Sequence, residues 1–202
     1  MDGLGLFGRE TLNARGIKLY ASQSMHSLIE QTPQWALMLN QGVFETEVTA
    51  SGCVHALSET VRLEAVEIPH RAELSDMHAF VVRGPNRSVL YLTDHDRWDD
   101  TLNHHDAPSI RAWLNDLDVD LALIDGTFWS SDELSGRSQL EVPHPSVSET
   151  LNRLGPRLDG DPEIHFIHLN HTNPVHDPLS DEHAAVLKHG WCVGVQGGTF
   201  TL

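Results

Sequence analysis

Four apolar segments of this 202-residue chain end on a histidine or an aspartate, and this pattern limits the possible folds more than any other. The segments are VRLEAVEIPH, SVLYLTD, LALID and IHFIHLNH, which end at His70, Asp94, Asp125 and His171. Short alternating or continuous apolar runs predict β-strands. In layered α/β proteins, side chains that follow strands gather at one edge of the sheet. We therefore expect imidazole and carboxylate groups to meet there, a combination that suits zinc, iron or manganese.

Helices and strands alternate in the second half of the sequence. Helices are predicted over residues 6–15, from Ser24 to Glu30, from Ser109 to Leu117, from His144 to Leu154 and through DEHAAVLKHG. Further strands are predicted at IKLYA and WCVGV, and Pro85-Asn86-Arg87 predicts a hairpin between HAFVVRG and SVLYLTD. The pattern indicates a single α/β domain over residues 1–202 with mixed pairing in its sheet.

The charge of the chain is strongly acidic, with 13 Lys+Arg against 29 Asp+Glu and a formal net charge of -16. Such a field repels the phosphate backbone of nucleic acids, so we expect a small-molecule substrate instead. No apolar run reaches the roughly 18 residues that a membrane span needs, and the first residues do not resemble a signal peptide. Cys53 and Cys192 make no disulfide framework, which favours a cytoplasmic protein without a membrane partner.

Each candidate residue also has an ordinary structural explanation. A single strand-end histidine more often makes an ordinary hydrogen bond, Asp94 could begin a turn, and DHDRWDD could be a solvated acidic loop. His165 and His168 lie on opposite faces of one strand, so they cannot both point at one ion. We expect His165 to be structural and His168, like Asn170, to support a ligand rather than bind metal.

The order and spacing of these segments resemble the metallo-β-lactamase fold, in its ribonuclease Z-like and pyrroloquinoline quinone biosynthesis protein B-like branch. The resemblance rests on DGLGLFGRE, IPHRAE, SVLYLTDHDRW, VDLALIDGTFWSSDEL, VPHPSVSET and FIHLNHTNPVHDPLS. It implies an α/β fold of the αββα four-layer sandwich type, with one or two ions of zinc, iron or manganese at one edge. In such proteins a metal-bound hydroxide attacks an ester, amide or phosphodiester, or iron handles oxygen chemistry.

The resemblance also assigns roles to individual residues. It places His70, Asp94 and His171 among the metal ligands, with Asp94 as the carboxylate that bridges two ions. It implies that His144, in VPHPSVSET, and Asp94 are catalytic residues. The structural alternative for His144 is an ordinary histidine at the N-terminus of a helix.

One part of the family pattern is not found in this sequence. The family carries a His-x-His-x-Asp-His motif, or a variant with Gly for Asp, and MDGLGLFG matches the residues that follow that motif. We therefore expect a domain that lacks its first N-terminal strands, binds metal incompletely and exposes a sheet edge that favours a homodimer. The activity of this chain as an enzyme is therefore in question.

Three functions follow from the resemblance. A metal-dependent hydrolase of a small substrate is favoured, because this sequence differs from the quinone-biosynthesis proteins at two places. Those proteins often have Asn where this chain has His171, and they usually have an N-terminal Cys-x-Cys element that is not found in this sequence. A cofactor-biosynthesis protein of that quinone branch, using iron, is the second. The third is a remnant of the fold with weak activity or none.

Overall fold

The computed structural model describes residues 2–133 and 142–202, without the side chain of Asp2. Met1 and Leu134, which belong to the family-like segments quoted above, lie outside the described residues. The strands are β1 (Ile17–Ala21), β2 (Phe44–Val48), β3 (Val54–Ala56), β4 (Arg62–Ile68), β5 (Met77–Arg83), β6 (Ser88–Leu92), β7 (Leu121–Asp125), β8 (Glu163–Ile167) and β9 (Cys192–Val193). The α-helices are α1 (Gln23–Gln31), α2 (Pro33–Asn40), α3 (Trp98–His104), α4 (Ile110–Asp116), α5 (Val147–Leu154) and α6 (Asp181–Lys188), and Asp2–Phe7 and Pro174–His176 form 3-10 helices.

Seven strands form one large sheet in the order β3-β4-β5-β6-β7-β8-β9, while β1 and β2 pair in a separate parallel sheet. Strands β3 to β6 are antiparallel neighbours, and β6 to β9 are parallel neighbours. The ends of β6, β7 and β8 therefore point in the same direction. This arrangement brings the residues that follow these three strands to one edge of the sheet.

The main core lies between one face of the large sheet and helices α3 to α6. The residues that enter this core alternate along the strands, because every second side chain faces the helices. The sheet contributes Leu90, Ile124 and Phe166, and the helices contribute Trp98 and Trp113, all of them almost fully buried. The core thus fixes the position of the three strand ends.

Several predicted elements are confirmed. Strand β1, the β5–β6 hairpin, β7, β8, α4 and α6 lie where the sequence predicts them. Ser109 caps α4 as predicted, and its hydroxyl accepts the N–H of Ala112. Helix α5 was predicted to start at His144 but begins after Ser146, because the Ser146 hydroxyl accepts the N–H of Glu149 and caps the helix there. The α/β class with mixed sheet pairing is also confirmed. No helix in the described parts of the chain is long and apolar enough to span a membrane.

The helix predicted over residues 6–15 is wrong. The segment forms a short 3-10 helix followed by turns. Gly5 and Gly8 disfavour a regular helix. In addition, the Thr11 hydroxyl donates to the Leu6 carbonyl and closes the turn.

The acidic segment DHDRWDD is also different from the solvated loop considered above. Its second half begins helix α3, and Trp98 is only 1% exposed. The indole Nε1 of Trp98 donates to the hydroxyl of Thr150 at 2.8 Å. An aromatic residue packed in the core thus outweighs the local polarity of the sequence.

Candidate metal centre

Four side chains that could bind a metal converge at the edge of the large sheet. They are Asp94, Asp125, His144 and His168, and each offers a donor atom that lies within 4.8 Å of the others. Asp125 ends β7, while Asp94 and His168 lie just beyond the ends of β6 and β8. His144 comes from the segment that leads into α5. The parallel strands therefore assemble the group from residues far apart in sequence.

Asp125 lies at the centre of this group, and its side chain is fully buried. One carboxylate oxygen accepts the backbone N–H of Asp94 at 2.9 Å and Nδ1–H of His144 at 2.6 Å. The other accepts the N–H and the hydroxyl of Thr127, at 2.8 and 2.6 Å. Asp125 thus binds the loops after β6 and β7 together and also orients an imidazole.

These contacts leave the carboxylate of Asp125 ionised. Burial alone would raise its pKa, because a charge is costly in a desolvated environment. The hydrogen bonds from His144, together with the nearby His168 and Thr127, outweigh burial and hold the pKa of Asp125 well below its usual range. The buried group is therefore a fixed negative charge beside two imidazoles.

Both imidazoles are oriented in the same way. His144 donates from Nδ1 to Asp125, and His168 donates from Nδ1 to the Thr127 hydroxyl at 3.0 Å, because that hydroxyl donates its own hydrogen to Asp125. The Nε2 atoms of His144 and His168 each lie 3.9 Å from Oδ1 of Asp94. These tautomers follow from the hydrogen-bond partners, and in the neutral rings they leave the Nε2 lone pairs facing the Asp94 carboxylate.

The pKa of His168 is raised above its ordinary value. The main cause is the carboxylate of Asp125, whose Oδ1 lies 3.9 Å from Nδ1, and Asp94 adds to it while burial opposes it. At that distance the effect of Asp125 is electrostatic attraction rather than a direct hydrogen bond. His168 and Asp94 have similar exposure, with 43% and 41% of their side chains accessible. They form the open side of the group.

Asp94 and His168 both adopt a backbone conformation that is rare for residues other than glycine. Their φ angles are 54° and 60°, in the left-handed region. Such conformations cost of order 1–3 kcal/mol and are concentrated at functional sites. The positive φ of His168 changes the direction of its side chain beyond the end of β8, so that the ring faces Asp94.

Gly126 allows the loop after β7 to approach β8 closely. A β-carbon at this position would lie 3.0 Å from the carbonyl oxygen of Ile167 and 2.9 Å from Leu169. The N–H of Gly126 donates to that same Ile167 carbonyl at 2.8 Å. A residue without a side chain is therefore needed next to Asp125.

His70 lies beside the group, on the loop that follows β4. Its ring centroid is 5.8 Å from that of His144, and its Nδ1 contacts the Asp96 carboxylate at 2.8 Å. His95, between Asp94 and Asp96, instead points into the core. Its Nδ1 contacts Thr101, its Nε2 has no hydrogen-bond partner among the described residues, and burial lowers its pKa to about 4.

The structure brings some of the predicted site residues together and separates others. Asp94 and His144 belong to the group, and His70 adjoins it. His171 is exposed and is not among the four converging side chains of the described residues. The prediction from sequence treated His168 as a support, whereas its Nε2 faces Asp94. The metal-binding and catalytic roles of all these residues stay predictions.

A cleft of about 430 Å³ opens beside His168. Its walls include Leu123, Ile167, Leu169 and Phe200, together with residues that directly follow β9. Clefts of roughly 300–1,000 Å³ are typical of small-molecule sites.

Comparison with known proteins agrees with this fold. A family model described as a beta-lactamase superfamily domain matches residues 2–184. Coenzyme PQQ synthesis protein B of Xanthomonas campestris pv. campestris is 34% identical over 127 residues, which are 56% of this chain and 41% of that protein. The protein of the same name from Cupriavidus taiwanensis is 39% identical over 83 residues, 36% of this chain and 26% of that protein. This chain thus spans less than half the length of these curated relatives.

Two solved structures share the architecture. Zn²⁺-bound PqqB from Methylobacterium extorquens aligns with a TM-score of 0.67 and 19% identity, over 93% of this chain and 63% of that one. The metallo-beta-lactamase fold protein YhfI from Bacillus subtilis aligns with a TM-score of 0.57 and 14% identity, over 94% and 66% of the two chains. At these identities the likeness shows the fold alone. With the family match over residues 2–184 and this architecture, the chain belongs to the beta-lactamase superfamily domain family.

Proposed function

We propose that this chain holds a catalytic divalent metal ion and hydrolyses an ester, amide or phosphodiester bond of a small substrate. The observation that carries the proposal is the pair of imidazoles whose Nδ1 atoms are hydrogen-bonded and whose Nε2 atoms face Asp94. Metal-binding histidines usually have the second ring nitrogen held by a carboxylate or another polar group, as His168 has. A histidine oriented in the same way beside the ion, such as His144, can instead exchange a proton at Nε2.

His70, Asp94 and His168 are the proposed ligands. Their imidazole nitrogens and carboxylate oxygen are donors that zinc, iron and manganese accept. The contact of His70 Nδ1 with Asp96 leaves Nε2 of that ring as its donor toward an ion. When bound, such an ion supplies Lewis-acid chemistry that activates water and polarises the bond to be cleaved.

His144 is the proposed proton-transfer group. Its side chain is only 9% exposed, Asp125 holds its Nδ1, and its Nε2 faces the open side of the site. A buried carboxylate in this position fixes the tautomer and stabilises the ring once Nε2 has taken a proton. Asp125 therefore acts as a positioning residue for His144.

The choice between His168 and His171 as a ligand can be tested with a matched pair of variants. We expect His168→Ala to lower the zinc affinity of the purified chain by at least about 10-fold, since a ligand of the ion is removed. His171→Ala, three residues away on the same loop, should leave zinc affinity unchanged. The reverse result would restore the assignment of His171 as ligand and contradict the proposed site.

The role of His144 can be separated from metal binding. We expect His144→Gln to retain zinc at the wild-type stoichiometry while hydrolysis of a generic phosphodiester or ester falls about 10²–10⁴-fold. Zinc content measured on the same samples decides between the roles. Loss of zinc in this variant would make His144 a ligand instead.

The charge and the cleft support a small substrate. A net charge of -16 disfavours nucleic acid, and the cleft beside His168 has the volume of a small-molecule site. A cytoplasmic location and a homodimer belong to the same proposal and rest on the sequence alone.

A second candidate function is a metal-dependent step in cofactor biosynthesis. The matches to coenzyme PQQ synthesis protein B favour it, and one of them covers 56% of this chain. Metal content discriminates the two candidates. Zinc as the activating ion supports hydrolysis, whereas iron with oxygen consumption and no hydrolysis supports the second function.

A further inference from the structure

A second group of metal-binding side chains lies away from the candidate metal centre. Glu163, His165 and Cys192 each offer a donor atom, and the three atoms lie within 4.8 Å of one another. None of them belongs to the group around Asp125. His165 lies within β8, whereas His168 of the first group follows the end of that strand.

The two last strands of the sheet bring these donors together. Glu163 and His165 are two positions apart on β8, so their side chains lie on the same face. His165 is paired with Cys192 on β9, which places the thiol beside the imidazole. Ile164 and Phe166, on the opposite face, are in the main core. The group therefore lies on the face that is turned away from the helices.

The two carboxylate oxygens of Glu163 have different partners, and one of them lies against the His165 ring. Arg87 donates to Oε2 of Glu163 at 3.1 Å, while Oε1 of Glu163 contacts Nε2 of His165 at 2.7 Å. The ring of Phe200 packs edge-on against His165, with 5.2 Å between centroids. All three donor residues are partly buried. The site is thus shielded from solvent on one side by the last segment of the chain.

We propose that Glu163, His165 and Cys192 form a second site for a zinc-class ion, which joins the edge strand β9 to β8. Oxygen, nitrogen and sulfur donors together are a set that zinc accepts. Sulfur also distinguishes this site from the first, whose four converging residues offer nitrogen and oxygen alone. Because β9 has only two residues, a metal link would add substantially to its attachment.

A catalytic thiol is the competing explanation for a cysteine beside a histidine and a carboxylate. A nucleophilic cysteine needs a lowered pKa. Here burial raises the pKa of the Cys192 thiol, and the charge of Glu163 raises it further. The surroundings therefore disfavour a free thiolate.

Titration with Co²⁺ tests the proposal, because a thiolate ligand gives a near-ultraviolet charge-transfer band that nitrogen and oxygen ligands lack. We expect the band to saturate when one Co²⁺ per chain is bound at this site, in addition to any ion bound at the candidate metal centre. It should vanish in Cys192→Ser and weaken strongly in His165→Gln. It should persist in Cys53→Ser, the control at the other cysteine, which is exposed. It should also persist in Asp94→Ala, so that failure of the first site leaves this result intact.

A second measurement needs no variant and so does not depend on folding of a mutant. Iodoacetamide labelling of the wild-type chain, followed by mass spectrometry, reports Cys53 and Cys192 separately. We expect saturating zinc to slow labelling of Cys192 by about tenfold or more and to leave Cys53 unchanged. A chelator should restore the original rate. Absence of the cobalt band, or equal labelling of Cys192 with and without zinc, would overturn the proposal.

Discussion

The substitution Asp125→Asn tests whether the buried carboxylate organises the candidate metal centre. An asparagine has nearly the same shape but no charge, and one of its two terminal groups is a donor instead of an acceptor. Each oxygen of Asp125 accepts two hydrogen bonds. Whichever way the amide is turned, its NH₂ group therefore faces two donors.

The expected loss of stability follows from these contacts. A buried donor left without a partner costs about 1–3 kcal/mol. Two such donors, with the lost attraction between Asp125 and the imidazoles, give a loss of about 3–5 kcal/mol in the free energy of unfolding. Zinc affinity should also fall, by about 10–100-fold, because the orientation of His144 and of the Asp94 loop is lost.

Urea unfolding without metal and zinc titration by calorimetry measure the two effects. Asp161→Asn is the matched control, because Asp161 is a partly buried carboxylate that Arg111 binds far from the site. This control should lose stability and retain its zinc affinity. A loss below about 1 kcal/mol in Asp125→Asn, or an unchanged zinc affinity, would refute the reasoning.

Three further predictions concern the scaffold. Arg111→Met should cost about 3 kcal/mol at neutral pH, because it breaks a partly buried ion pair. Burial alone would raise the pKa of Asp161, but Arg111 outweighs burial and lowers this pKa. The loss of stability in Arg111→Met should therefore be complete above about pH 4 and shrink as the pH falls through the lowered pKa of Asp161 in the folded chain. Urea unfolding at several pH values measures this loss, and a loss that grows as the pH falls would contradict the prediction. Gly126→Ala should lower stability by about 1–3 kcal/mol through the close contact with Ile167, as thermal unfolding can measure, and an unchanged melting temperature would contradict it. Phe166→Ala should cost about 3–5 kcal/mol by opening a cavity in the main core, and a loss below about 1 kcal/mol in urea unfolding would mean that the core closes around the site.

Local sequence signals account for the parts of the structure that were predicted correctly. The apolar residues of β7 and β8 and the serine cap of α4 act over a few residues, so they can be recognised without tertiary information. Helix α2 and strands β2 and β3 were not predicted. Strand β2, for example, has the sequence FETEV and exposes most of its residues, so it carries little hydrophobic signal.

The assembly of the site depended on longer-range contacts. The period of two predicts that His165 and His168 point to opposite faces, but it describes side chains only within a strand. His168 lies just beyond β8 at a positive φ, where this rule no longer gives the direction of the ring. The hydrogen bond to Thr127, set by the β7–β8 pairing, selects the orientation that faces Asp94.

The sequence by itself determined the α/β class, the family resemblance and the position of Asp94 and Asp125 at strand ends, because strand propensity and apolar periodicity are local properties. Only the tertiary structure decided which imidazoles meet these carboxylates and which cysteine lies beside His165. Donor atoms must come within a few ångströms of one another to share an ion. That distance depends on the order and register of β6 to β9, which are set by packing of the whole core.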